Sequence, residues 1–380
     1  MNHAASLPAH GGDVRAMAAL SGRDAASLLD FSVNIRPEGP PEFLRATLRT
    51  ALKDVGRYPS PDAAEAMDAA ARRHDLPREC FAFGNGSNEL LHALGRVLGK
   101  RAVPEALIVQ PAFSEYALAC TLAGVPVRAV FGGVGLPLPD RPPLPTQALI
   151  ATALTTAAPG AAVFLANPAN PSGALLTPEA CAALMASRPD CLWIVDEAFI
   201  AYAGEEAAVS LLPRLAHLPC TVVVVRSLTK FYALPGLRAG YLAVAPQHAA
   251  LARAVRAELP AWNVNALALA CAVAALDEPD DHARRTRAEN AARREDLLGR
   301  LHTLPGVRPC PSAANYVLFH WAAAPDDLNG ALLRRYGMAL RDCANYPFLE
   351  GGGWFRAAVR LPCEHERLIG ALAALARGGG

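Results

Sequence analysis

Between residues 81 and 245 six short apolar runs succeed one another, at 81–83, 106–109, 163–166, 192–195, 221–225 and 241–244. They are built mainly from Val, Ile, Leu, Phe and Ala, with Trp193, Thr221 and Tyr241 besides, and lack polar alternation, which is the pattern of strands buried on both faces. Longer helical patterns lie between them. Such an alternation specifies an α/β fold: a mostly parallel sheet covered by helices.

At 380 residues the chain is long for one domain, and its texture changes after Trp262. Residues 265–276 and 282–301 read as long helices. The second mixes Arg284, Arg285, Arg287, Arg293 and Arg294 with Glu289, Glu295 and Asp296, which marks a solvated face rather than an RNA-binding patch. Beyond Pro305 follow a strand at 315–319, a helix at 326–335, runs at 339–341 and 355–360, and a final helix at 365–376. The expected organisation is an extended N-terminal arm (1–44), a large α/β domain (45–262), connecting helices (263–303) and a small C-terminal α+β domain (304–380).

In open α/β sheets ligands bind beyond the carboxyl ends of the strands, and four polar groups fall there. Gly84-Asn85-Gly86-Ser87-Asn88-Glu89 follows the first run and opens a helix over 90–98, which suits a phosphate but is also a plain strand-to-helix turn. Glu89 occupies the third glycine position of the dinucleotide fingerprint, and no Walker-A ending follows. Asn167-Pro168-Ala169-Asn170-Pro171-Ser172-Gly173 is either a stiff turn or a rigid amide donor. Asp196 ends the fourth run, where a buried acid needs a cation or donors, unless it only caps the next helix. Ser227-Leu228-Thr229-Lys230 follows the fifth.

Lys230 is the sharpest of these signals. Of the 36 basic residues only Lys53, Lys100 and Lys230 are lysines, leaving 33 arginines. A lysine at a strand-end cleft in such a chain suggests work that arginine cannot do, since only the lysine amine deprotonates and condenses with an aldehyde. Amine, carboxylate, amide donor and phosphate cup together match the needs of pyridoxal 5'-phosphate.

The other totals narrow the classes. The 36 basic and 35 acidic residues leave a net charge of +1, which argues against nucleic acid or a membrane surface as partner. The longest apolar run, 266–276, is roughly half a membrane span, and residues 1–20 lack a signal-peptide core. A cytoplasmic protein is expected. The nine cysteines are scattered without metal-ligand spacing and read as reduced core residues; no metal site is expected.

Residues 227–241, SLTKFYALPGLRAGY, resemble the lysine segment of the fold-type I pyridoxal-phosphate enzymes, in the branch of the histidinol-phosphate aminotransferases and threonine-phosphate decarboxylases. The likeness covers nearly the whole chain and implies site residues. Lys230 holds the cofactor aldehyde, Ser227 and Arg238 bind its phosphate, and Ser87 and Asn88 cup it. Asp196 pairs with the pyridine nitrogen, Asn170 bonds the ring hydroxyl, and Tyr116 stacks on the ring. Tyr58 reaches the cofactor phosphate of a neighbouring subunit, which implies a homodimer. Arg356 takes the substrate carboxylate.

Three features resemble the decarboxylases more than the aminotransferases. They are His10-Gly11-Gly12 with the arm Leu29-Asp30-Phe31-Ser32-Val33-Asn34, Phe199 where many aminotransferases carry tyrosine, and Leu340-Arg341-Asp342-Cys343-Ala344-Asn345. The implied reaction is decarboxylation of L-threonine O-3-phosphate, with His10, Asn34 and Arg341 as candidates for its phosphate; transamination of histidinol phosphate is the alternative. Arg36 replaces a common asparagine of the arm and is a further candidate cation, and Ala201 replaces a common acid. Two readings outside this pair are a non-catalytic cofactor-binding regulator and a serine nucleophile in Ser227-x-x-Lys230. The second wants a downstream Lys-Thr-Gly, and Lys230 is the last lysine.

Overall fold

The computed structural model describes residues 11–133, 135, 146–278 and 281–377. Its strands in chain order begin with β1 (Leu29–Asp30), β2 (Phe81–Asn85), β3 (Ala106–Gln110), β4 (Val127–Phe131), β5 (Ala162–Ala166), β6 (Leu192–Asp196) and β7 (Val222–Ser227). They continue with β8 (Ala239–Val244), β9 (Val307–Pro309), β10 (Tyr316–Trp321), β11 (Met338–Ala339), β12 (Arg341–Asp342) and β13 (Trp354–Ala358).

Seven strands form the large sheet, in the order β2-β8-β7-β6-β5-β3-β4. β8 runs antiparallel to both its neighbours, and the remaining adjacent pairs are parallel. β2, β5, β6 and β7 therefore end at one edge, and β8 begins there. Six of the seven, β2, β3, β5, β6, β7 and β8, are buried almost throughout, each fully buried Val, Leu or Ile contributing about 1.5–3 kcal/mol. β4 was not apparent as a run. It is the sheet edge opposite β2, with Val127 exposed and Arg128 held by Glu105 at 2.9 Å, so it lacks the apolar continuity of the others.

The helix after β2 spans Ser87–Lys100 and so starts three residues before its expected position. It lies close against the helix Glu115–Leu122: a Cβ at Gly95 would meet the Ala119 carbonyl oxygen at 2.6 Å, so only glycine permits this approach. That contact brings Tyr116 toward the strand ends.

In the C-terminal part, β12-β13-β10-β9 form an antiparallel sheet. The helices Asp281–His302 and Pro362–Ala376 bury Leu297, Leu301, Leu368 and Leu372 against Val317, Phe319, Phe355 and Ala357. His365 Nδ1 lies 2.7 Å from Asp296 Oδ2 and ties the two helices. The expected helix at 326–335 is a short turn, Leu328–Ala331, followed by a wider π turn over Leu332–Tyr336. The run at 339–341 divides between β11 and β12.

The arm is not simply extended. Val14–Ser21 is a helix capped by Asp13, and β1 pairs in parallel with β11, matching Leu29 to Met338 and Asp30 to Ala339. Met17 packs with Leu333 and Ala339, and Phe31 is fully buried in the small-domain core. Tertiary contact, rather than local propensity, orders this segment. Eight of the nine cysteines are buried, Cys363 is exposed, and all are free. Among the described residues no helix is long and apolar enough to cross a membrane.

Candidate active site

The strand ends of the large sheet, the arm and the small domain enclose a cleft of about 370 Å3. Ser87, Asn88, Tyr116, Asn170, Asp196, Ser227, Lys230 and Arg238 line it from the large domain, and Asn34, Arg341 and Arg356 from the arm and small domain. Two expected residues are not among these. Tyr58 is 84% exposed, its ring centroid 5.1 Å from that of Trp262, on the outer surface of the chain. His10 lies outside the described residues.

Asp196 closes β6 with its side chain on the cleft face. Its Oδ2 accepts from the Tyr116 hydroxyl at 2.6 Å and its Oδ1 from the Ala198 N–H at 2.9 Å. Burial pushes the carboxyl above its usual range, against the pull of those two hydrogen bonds and of Lys230. Lys230 is half-buried. Burial first, then the guanidinium charges of Arg238 and Arg356, lower its amine to about 8, with Asp196 acting in the opposite sense. A sizeable fraction is therefore neutral and nucleophilic near neutral pH. The Tyr202 hydroxyl donates to the Lys230 carbonyl oxygen at 3.1 Å and fixes the backbone beneath the amine.

The two asparagines of 167–173 have different tasks. Asn167 is buried and folds the loop, donating to the Leu176 carbonyl oxygen at 3.0 Å and accepting its N–H at 2.8 Å. Asn170 faces the cleft, where its Oδ1 accepts from Arg356 Nη1. The amide is thereby oriented with Nδ2 as its free donor. Arg356 Nη2 also donates to the Ser32 carbonyl oxygen at 2.8 Å, its guanidinium lies 5.2 Å from the centre of the Tyr316 ring, and its buried Nε has no partner.

Arg341 stands opposite Arg356 across the β12–β13 ladder, with its Nη2 donating to Asn345 Oδ1 at 2.8 Å and its guanidinium 5.2 Å from the Tyr346 ring centre. Opposite residues of an antiparallel pair share a face, their Cβ atoms about 5 Å apart. Asn34 Oδ1 is buried nearby without a partner. Arg36 is not in the cleft: Glu38 holds it at 3.1 Å and Glu289 at 3.4 Å, so it supplies no cation to a substrate there.

Several lining groups were not singled out in the sequence. Thr229 Oγ1 is 2.8 Å from Ser227 Oγ, adding a hydroxyl to that corner. Glu115 Oε2 accepts from Asn88 Nδ2 at 3.2 Å and lies 2.9 Å from His92 Nε2. Thr229 sits inside the segment 227–230 and Glu115 directly precedes Tyr116, so both were findable, whereas Ser32 acts through a backbone carbonyl that no side-chain pattern marks.

The corner at Ser87 fits a phosphate. Gly86 precedes the helix Ser87–Lys100 with no side-chain cap, at φ +82°, so the first N–H groups of the helix face the cleft. A Cβ on Gly86 would strike the Arg238 guanidinium, and one on Gly240 would lie 2.5 Å from the Ser87 nitrogen. The cradle exists because both positions are glycine. Donors for a phosphate, an acid deep in the cleft and a low-pKa amine together suit pyridoxal phosphate.

This fold and cleft belong to a known class: a family model described as aminotransferase class I and II matches residues 26–372, and the chain belongs to that family, which depends on pyridoxal phosphate. The chain is 37% identical to a threonine-phosphate decarboxylase of Salmonella typhimurium over 371 residues, covering 96% of this chain and 95% of that protein. It is 32% identical to a histidinol-phosphate aminotransferase of Methylobacillus flagellatus over 343 residues, 90% and 87% of the two chains. The solved histidinol-phosphate aminotransferase of Sinorhizobium meliloti in complex with pyridoxal-5'-phosphate has the same fold, with a TM-score of 0.80, 24% identity, and 99% and 96% coverage.

Proposed function

We propose that the protein decarboxylates L-threonine O-3-phosphate to (R)-1-amino-2-propanol phosphate, a cobalamin precursor, as a cytoplasmic homodimer in which Tyr58 serves the partner's site. The observation that carries the substrate is the placement of Arg341 opposite Arg356 on one face of the small-domain sheet. Two guanidinium groups lining one cleft repel one another unless anions lie between them. A small amino acid bearing both a carboxylate and a phosphate supplies two anions a few bonds apart, and histidinol phosphate supplies one.

In this reading Lys230, Asp196, Asn170, Ser227, Arg238, Ser87 and Asn88 hold the cofactor, which when bound acts as an electron sink for the bond broken at Cα. Arg356, fixed by Ser32 and Asn170, would grip the substrate carboxylate and set the direction of the Cα–carboxylate bond. Arg341 and Asn34 take the substrate phosphate, His10 being a further candidate. The Lys230 amine returns a proton to Cα after CO2 departs. The 37% identity to a threonine-phosphate decarboxylase supports this reading over its alternative. That alternative, transamination of histidinol phosphate, draws on the 32% identity to an aminotransferase.

The test supplies the protein with pyridoxal phosphate and L-threonine O-3-phosphate, with and without 2-oxoglutarate. Decarboxylation gives the amine phosphate by mass spectrometry in both samples. Product that appears only with 2-oxoglutarate identifies an aminotransferase.

A further inference from the structure

The rear face of the large sheet carries a buried chain of charges that the chemistry above leaves unused. Side chains alternate along a strand, so Asp196 and Ser227 face the cleft while their neighbours Glu197 and Arg226 face the other way. Arg226 Nε lies 2.9 Å from Glu197 Oε2. Arg226 Nη2 donates to Glu206 Oε2 at 3.1 Å and to Ser210 Oγ at 2.9 Å. Glu197 accepts in addition from Ser210 Oγ at 2.7 Å and from the Leu211 N–H at 2.8 Å. His74 extends the chain, with Nδ1 3.0 Å from Glu206 Oε1 and Nε2 2.8 Å from the Tyr241 hydroxyl. A neutral imidazole with its proton on Nδ1 satisfies both neighbours.

The position of this chain is telling. The Glu197 N–H donates to the Val225 carbonyl oxygen at 2.8 Å, just beyond the last paired residues, Asp196 and Val225. Past that bond no ladder joins β6 to β7: Asp196 is the last paired residue of β6, and Ser227 pairs only with Gly240 of β8. Arg226 bridges the gap by holding the residue after Asp196, while Glu206 and Ser210 anchor both strand ends to the segment behind them. An apolar rear face would bury equal area but fix no direction, whereas the hydrogen bonds from Arg226 to Glu206 and Ser210 and those that Glu197 accepts from Ser210 and Leu211 fix both distance and angle.

We infer that Glu197, Arg226 and Glu206 are positioning residues for the pyridoxal-phosphate site, the rear charges fixing the two strand ends that present Asp196 and Ser227. This rests on the reading of the cleft as that cofactor's site. Removing one member of a buried ion pair strands the other, whereas replacing both by uncharged groups is commonly tolerated. The informative variants are therefore the paired Glu197→Gln/Arg226→Met and the peripheral Glu206→Gln. Each is titrated with pyridoxal phosphate, following the visible band and its pH midpoint, and then assayed for kcat and KM separately.

With melting temperature close to the parent's, the paired variant is expected to bind the cofactor about ten- to a hundredfold more weakly and to lose kcat by a similar factor, because small misplacements at a reacting centre carry costs of that order. Its band midpoint shifts as Asp196 moves, and Glu206→Gln moves both quantities in the same direction by less. A folded paired variant with the parent's affinity, midpoint and kcat would overturn the inference. If the pair does not fold, parental affinity and midpoint in Glu206→Gln overturn it instead. A parent protein that develops no visible band sinks the cofactor reading, whereas a normal parental band with unmoved variants sinks only the positioning role.

Discussion

The Tyr116 hydroxyl donates to Asp196 Oδ2 at 2.6 Å, joining the helix after β3 to the end of β6 deep in the cleft. Burial pushes the phenol well above its usual range, so it stays protonated and serves as a donor throughout the working pH range. Tyr116→Phe removes one of two donors from a buried carboxylate. Hydrogen bonds to charged groups are worth about 1.5–3 kcal/mol, so pyridoxal-phosphate affinity is expected to fall about ten- to a hundredfold, read by titrating the visible band. Asp196→Asn falls further, because a neutral amide cannot hold a proton on the ring nitrogen.

The three lysines separate cleanly. Lys100 Nζ lies 2.5 Å from Glu258 Oε1 at an exposed site, where a guanidinium serves equally, and Lys53 is exposed. Lys53→Arg and Lys100→Arg are expected to match the parent in activity, and Lys230→Arg to lose the visible band and all turnover.

The depressed Lys230 amine also sets a pH dependence. Only the neutral amine attacks an aldehyde, and lowering its pKa to about 8 raises the neutral fraction at every lower pH. Stopped-flow rates of cofactor capture should therefore rise tenfold per pH unit well below 8 and level off above it. A midpoint near the ordinary lysine value of about 10.4 would contradict the burial of this amine.

Arg341 and Arg356 should differ in what they recognise. Arg341→Gln is expected to raise KM for L-threonine O-3-phosphate by about tenfold or more, the worth of a charge-assisted contact, and to leave KM for L-threonine unchanged. Arg356→Gln raises both. Steady-state kinetics with the two substrates checks the difference.

Gly240 tests the cradle. A Cβ there meets the Ser87 nitrogen at 2.5 Å and the Arg226 carbonyl oxygen at 2.9 Å, both backbone atoms that cannot swing aside. Gly240→Ala should cost about 1–3 kcal/mol of stability, seen as a lower melting temperature by calorimetry, and should weaken cofactor binding by displacing the Ser87 N–H.

What could be read in the sequence follows from how burial writes itself there. β5, β6 and β7 lie inside the sheet and are apolar on both faces, so each appears as a run. β4 is an edge with Arg128 at its second position, and the helix Val14–Ser21 exists because Met17 docks on Leu333, more than three hundred residues away. At the cleft, the strand-end rule points to Lys230, Asp196 and the segment 167–173, within which only the family resemblance picks out Asn170. The facing of Arg341 and Arg356 was hidden, since it depends on the register of two short strands. The Ser32 carbonyl that holds Arg356 belongs to the backbone and leaves no signature.

Release of CO2 from a phosphorylated amino acid is what distinguishes the proposed decarboxylase from an aminotransferase. The most direct measurement incubates the protein, loaded with pyridoxal phosphate, with carboxyl-labelled L-threonine O-3-phosphate and no keto acid, and counts labelled CO2 over many turnovers. One CO2 is expected for each amine phosphate formed, and none with the Lys230→Arg protein. Label that stays in solution, together with product formation that begins only when 2-oxoglutarate is added, would contradict the decarboxylase reading.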